Sequence, residues 1–169
     1  MAMPDADEWL ALSGAPAFEQ VLRQRPAAKS AHFAIHCLRS EELSTGPAQG
    51  GAMPVDDLPR RSVGSRAGPG GAGALPRLGL VVPKRHARRA VTRNLVKRQA
   101  RAAWHLWWHD VHREAALART DWVVRLRGPI DRKQFVSARS EALAALLRDE
   151  LRGLFATAAR RVGWMPKDA

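Results

Sequence analysis

Between Leu58 and His109 the chain contains no aspartate or glutamate, and within that stretch Arg89, Arg93, Lys97 and Arg101 recur at every fourth position. A helix turns about 100° per residue, so these four cations climb one side of a helix as a ladder. Asn94, Arg98 and His105 widen the stripe, while Val91, Leu95, Ala102 and Leu106 fall on the opposite side with Val96 and Ala103. Like charges at i, i+4 cost roughly 0.2–0.5 kcal/mol per pair in an isolated helix, and an apolar stripe needs a core to cover it. The pattern therefore predicts a helix over residues 88–118 that packs one face on other elements and offers the other to a polyanion. No interleaved Glu turns the stripe into an ordinary solvated face.

The charge balance of the whole chain points the same way. With 28 Lys and Arg against 16 Asp and Glu, the formal net charge is +12 over 169 residues, which favours nucleic acid as the partner over a membrane surface. No apolar run approaches the roughly 20 residues of a spanning helix. The first eight residues are acidic and lack the cationic start and apolar centre of a signal peptide. These features lead to the expectation of a cytoplasmic protein that uses no membrane. Cys37 is the single cysteine, so no intrachain disulfide can form; its place in an alternating segment marks it as a buried, inert thiol.

Around the basic helix the periods alternate between two and 3.6 residues. Phe18, Val21 and Leu22 mark a short helix over residues 16–24, stopped by Pro26. Residues 31–38 alternate as a strand, with Phe33, Ile35 and Cys37 on one side and His32, Ala34 and His36 on the other. Residues 40–74 collapse to Gly, Pro, Ala and Ser, which predicts a disordered insertion. Two further strands are expected, over residues 75–83 and 121–127, the second closed by Gly128-Pro129. Asp131-x-x-Gln134 has the form of a helix cap, followed by Phe135, Ala142, Leu143, Leu146, Leu147, Leu151, Leu154 and Phe155 at helical spacing. The expected class is α+β, a two-layer α/β sandwich with a small sheet and helices on one face. Its domain spans residues 15–158, between a flexible start (1–14) and a flexible tail (159–169).

Catalysis by the chain alone is not indicated. The acids are scattered, with no cluster for a metal-dependent nuclease and no phosphate loop behind a strand. His105, His109 and His112 share a helix side, yet neighbouring cations repel a divalent ion, so a solvated edge is expected and no metal site. Trp107 belongs with the apolar face. Trp104 and Trp108 fall near the cations, where they would shield Arg stems or stack on an unpaired base.

The sequence Lys84-Arg85, Arg88-Arg89-Ala90 and Arg93-Asn94-x-x-Lys97-Arg98-x-x-Arg101 resembles the signature of the bacterial ribonuclease P protein subunit, with Leu95 where the family commonly has Arg. The flanks fit as well: residues 77–84 resemble the strand before the signature, and residues 121–125 the strand after it. Phe18-x-x-Val21-Leu22 and His32-Phe33-Ala34-Ile35 resemble the first helix and strand. This resemblance implies a ribosomal-protein-like two-layer fold with a left-handed βαβ crossover. It also implies a non-catalytic subunit whose partners are the catalytic RNA and precursor tRNA, bound as a monomer, one protein per RNA. The RNA and its magnesium ions would remove the 5′ leader, the protein holding no cofactor itself. Lys84, Arg85, Arg88, Arg89, Arg93, Asn94, Lys97, Arg98 and Arg101 would then bind RNA, and Phe18, Phe33 and His36 would line a cleft for the leader. The alternative from another class is a structural RNA-binding protein of the ribosomal type, with no processing role.

Overall fold

The computed structural model describes residues 9–39, 75–111, 120–131, 133, 135 and 140–163. Five strands and three helices follow in the order β1 (Leu10–Ala11), α1 (Ala15–Arg23), β2 (Ala28–Lys29), β3 (Phe33–Arg39), β4 (Arg77–Val81), α2 (Ala90–Val111), β5 (Thr120–Leu126) and α3 (Glu141–Arg161). They make one sheet of order β1-β4-β5-β3-β2. β4 runs parallel to both β1 and β5, and β3 runs antiparallel to β5 and β2. Parallel neighbours need a crossover, and α2 lies in the connection from β4 to β5. The cationic helix is thus built into the centre of the fold.

Strand alternation sorts the core into two. Phe33 and Ile35 of β3, Leu78 and Leu80 of β4, and Trp122, Val124 and Leu126 of β5 point to one face, where they meet Leu95, Val96, Ala100 and Ala103 of α2 and Leu143, Leu147, Leu151, Leu154 and Phe155 of α3. Leu38, Val81 and Val123 point to the other face and meet Leu12 together with Phe18 and Val21 of α1. The expected helical layer on one face describes α2 and α3; α1 crosses the opposite face.

α1 can lie that close because Gly79 of β4 has no side chain. A Cβ there would sit 2.5 Å from Phe18 Cε1, 2.7 Å from its Cζ and 3.1 Å from Leu12 Cδ2. Gly79→Ala should therefore lift α1 off the sheet and cost about 1–3 kcal/mol, as overpacking does. Denaturant titration checks this; a change within a few tenths of a kcal/mol would show that the ring moves aside freely.

The largest concentration of core is aromatic. Trp104 is fully buried, and its ring centroid lies 5.3–6.5 Å from those of Trp9, Trp107, Trp108, Trp122 and Phe155. Trp104 and Trp108 therefore belong to the core, not to the cationic stripe, because α2 at that level runs over the sheet. Val91 and Leu106, expected to be covered, are 48% and 52% exposed.

Residues 9–14 and 159–163, which fall within the segments expected to be flexible, have defined places in the fold. Of the flexible start expected over residues 1–14, residues 1–8 lie outside the described residues; residues 9–12 instead form and flank β1, whose register on β4 is fixed by Leu10 N–H to Pro76 O (3.0 Å) and Leu12 N–H to Leu78 O (2.9 Å), with Trp9 against Trp104. At the other end α3 continues through Arg161, with Ala158 and Ala159 fully buried. The cap of α3 is Ser140, whose Oγ accepts from Leu143 N–H. Asp131 instead closes a turn, accepting from Lys133 N–H at its carboxylate and from Phe135 N–H at its carbonyl. The insertion expected at 40–74 lies outside the described residues, as do residues 112–119, into which the basic helix was expected to run.

One polar network fastens the β2–β3 hairpin to α3. The Glu150 carboxylate accepts from Ser30 Oγ, from His32 N–H at 2.8 Å and contacts His32 Nδ1 at 2.8 Å. Burial pushes its pKa up, but the bonds from Ser30 and His32 outweigh it and leave the carboxyl below its ordinary value. A depressed acid contributes stability above the unfolded pKa and loses it as pH falls through the folded value. Glu150→Ala should thus cost about 1–3 kcal/mol at pH 7, with the gap to wild type narrowing below the ordinary carboxylate range. Unfolding titrations at pH 7 and about pH 3 measure this; a gap independent of pH would contradict it.

Candidate nucleic-acid interface

The basic surface starts on the turn after β4. His86 and Ala87 N–H groups both donate to Pro83 O (3.1 and 3.2 Å), and Ile130 N–H donates to His86 O at 3.0 Å. This turn holds Lys84 and Arg85 exposed, with Arg88 and Arg89 exposed just before α2 begins. Arg93 folds back on the same turn. Its Nη1 donates to Ala87 O (3.0 Å) and Arg88 O (2.7 Å), carbonyls of the turn that leads into α2. Arg93 is therefore half-buried and partly structural, which corrects its expected place on an open ladder.

Beyond it the ladder divides. Lys97 is half-buried; burial lowers its pKa from the ordinary value, and the nearby Arg101 and Arg93 charges lower it further. Asn94, Arg98 and Arg101 are exposed together, with His105 on the same arc. Gln99 lies on the buried side, where Arg148 Nε of α3 donates to its Oε1 at 3.3 Å and ties the two helices. The open cationic surface is accordingly Lys84, Arg85, Arg88, Arg89, Arg98 and Arg101, with Asn94 among them.

At the foot of α2 a cleft of about 500 Å³ is lined by Arg85, Arg88, Arg89, Lys133, Phe135 and Asp131, among others. Lys133 had no role in the sequence reading, which put Phe135 in the core of the last helix and not beside the basic turn. Their approach depends on the Ile130–His86 backbone bond, which joins segments far apart in the chain and leaves no local signal. Among the described residues no three His, Cys, Asp or Glu side chains gather as a metal site would need, and no helix there is long and apolar enough to cross a membrane. His112 lies outside the described residues.

The three residues expected to line one leader cleft do not share one surface. Phe33 is fully buried under α2 and α3, whereas Phe18, on α1, is buried against the opposite face of the sheet. Alternation along β3 turns Phe33 away from the face that α1 covers. His36 lies on the α1 side, 6% exposed, with Nδ1 2.9 Å from Gln24 O. Burial lowers its pKa; the Gln24 carbonyl opposes this, while Arg125 and Lys29 add to it. Phe33→Leu should consequently cost about 1 kcal/mol of stability, as a core substitution does, and leave the preference between precursor and mature tRNA unchanged. A selective loss of precursor binding without a stability change would contradict that placement.

A family profile described as Ribonuclease P matches residues 10–150. The chain belongs to the ribonuclease P protein family. The ribonuclease P protein component of Burkholderia pseudomallei (strain 1106a) is 49% identical over 86 residues, which are 51% of this chain and 59% of that relative. The chain thus spans under two thirds of that relative's length. The ribonuclease P protein component of Paraburkholderia xenovorans (strain LB400) is 34% identical over 145 residues, 86% of this chain and 77% of the relative. In fold, the chain is similar to the solved RNase P protein of Staphylococcus aureus, with a TM-score of 0.52 at 16% identity, covering 89% of this chain and 96% of that one. Within this ribonuclease P family fold, the signature cations divide between Arg93, which ties the entry turn to α2, and Arg98 and Arg101, which face solvent.

Proposed function

We propose that the chain is the protein subunit of a ribonucleoprotein ribonuclease P, binding the catalytic RNA and the 5′ leader of precursor tRNA so that the RNA can remove the leader. The observation that carries this reading is the open, acid-free face of α2 and its entry turn, mounted on a buried crossover helix. Arg88, Arg89, Arg98 and Arg101 neutralise phosphates, and Lys84 and Arg85 extend the surface along the turn. Asn94 orients a phosphate by donating its amide. Lys97, partly withdrawn from water, acts at the edge of this surface. The magnesium ions that the reaction uses belong to the RNA in this account, and supply charge stabilisation at the scissile phosphate. The protein's share is positioning and charge neutralisation.

On the α1 side of the sheet Phe18 and His36 are buried, so the lining anticipated for the leader reduces there to the neighbouring Arg125. The half-exposed Arg125 gives that side a charge contact for the leader. The test compares precursor tRNA and mature tRNA bound to the RNA with and without this protein. The expected result is a protein-dependent gain for precursor tRNA that exceeds the gain for mature tRNA. Equal gains would favour a structural RNA-binding protein without a role in processing.

A further inference from the structure

A second basic surface stands apart from α2. Two clefts, of about 650 and 640 Å³, share Arg25, Pro26, Ala27 and Arg161 and form one groove between the α1–β2 connection and the end of α3. Four cations reach it from four segments: Arg25 from the connection, Lys29 from β2, Arg39 from the end of β3 and Arg161 from the last turn of α3. Among the described residues no acid lines it. Arg39 is engaged, its Nη2 donating to Val162 O at the helix end. Arg25, Lys29 and Arg161 are exposed and pair with no carboxylate among the described residues.

Helix polarity accounts for Arg160 and Arg161, since cations are favoured at a helix C-terminus. It does not account for Arg25 and Lys29, which arrive from the other wall. Converging like charges cost folding free energy where no described carboxylate stands among them, and an anion in the groove removes that cost. The groove lines up with other segments than the α2 surface does: β2 is the edge strand three positions from β4, about 14 Å at the usual strand spacing, and none of the groove's lining residues belongs to α2 or its entry turn.

We propose that this groove is a second phosphodiester-backbone site, which holds an RNA strand independently of the α2 face. It rests on the reading of the chain as an RNA-binding subunit. The strand is a segment either of the catalytic RNA or of the tRNA substrate, and the two sources share the chemistry that the groove recognises.

The experiment uses the full-length protein and compares Arg25→Ala/Arg161→Ala with Arg23→Ala/Arg152→Ala. The second pair removes the same charge from exposed positions outside the groove. One arm measures binding to the catalytic RNA alone across salt concentrations; the other measures precursor tRNA binding to the reconstituted complex. The groove variant should lower the slope of log affinity against log salt by about 1–2 in one arm, and the control by clearly less. The affected arm names the source of the strand. Thr157→Glu, which puts a carboxylate on the groove wall, should weaken binding in the same arm. Should the double alanine variant melt early, Arg25→Lys/Arg161→Lys keeps the charge and should restore the slope. A groove variant that tracks the control in both arms, while wild type binds normally, would overturn the groove and leave the functional reading standing. Wild-type protein that binds neither RNA would overturn both.

Discussion

Replacing Trp104 by alanine should cost about 3–5 kcal/mol, the range for emptying a large aromatic site. Trp104 is fully buried and borders five other rings, two of them on other elements of the fold, Trp122 on β5 and Phe155 on α3. Its loss opens a cavity where α2, α3, β5 and the N-terminal segment meet, so no single element can move to fill it. A domain has only about 5–15 kcal/mol in total, and a loss of this size leaves the variant close to unfolding at body temperature. Trp104→Phe should lose less, because a ring still fills most of the space. Thermal melts followed by near-ultraviolet circular dichroism report on this cluster directly. If Trp104→Ala stays within about 1 kcal/mol of wild type, the aromatic cluster is not the keystone of the core.

The second large effect concerns RNA. Arg98→Ala/Arg101→Ala should weaken binding to the catalytic RNA, most strongly at low salt, and reduce the salt slope by about 1 for each residue removed. Both side chains are exposed and make no described bond within the fold, so the melting temperature should barely change. Arg93→Ala should behave differently. It loses two bonds to Ala87 O and Arg88 O, and should lower stability and RNA affinity together. Filter binding over a salt series, paired with melts, separates the two. Unchanged slopes for the double variant would mean that this face of α2 does not meet phosphate.

That difference between Arg93 and Arg98 shows where the sequence was legible and where it was not. The existence of α1, β3, β4, α2 and β5 followed from hydrophobic period, because each is long enough to repeat its pattern. β1 and β2 have two residues each, too few to display a period; only their partners define them. The inward face of α2 was harder. By angle Trp104 falls between Arg93 and Lys97 on the helix, so one side of α2 carries cations in its first turns and core rings further along. A wheel projection averages those levels and assigns Trp104 and Trp108 to the polar side. Long Arg and Lys stems add to the error, since they lie along apolar surface while their charges reach water. Arg93 and Lys97 consequently mark the border of the buried face, and Arg98 and Arg101 lie outside it.

The candidate site was legible to the extent that it is contiguous. Residues 84–101 carry most of the cationic surface in one run, and charge counting finds it. Surfaces assembled from several elements give no such signal. Phe18 and Phe33 are each apolar residues at the expected position in an element, but only the location of α1 across the sheet shows that they face opposite ways. The groove of Arg25, Lys29, Arg39 and Arg161 likewise exists only once β2 and the end of α3 are side by side.

The most direct test is cleavage of precursor tRNA at low magnesium by the catalytic RNA alone, by the purified protein alone and by the two together. The account predicts that the protein alone leaves the substrate intact, the RNA alone cleaves slowly, and the mixture cleaves much faster. It also predicts that Arg98→Ala/Arg101→Ala loses much of the gain and that added protein or magnesium recovers it. Cleavage by protein freed of RNA would contradict the account, as would a mixture no faster than the RNA by itself.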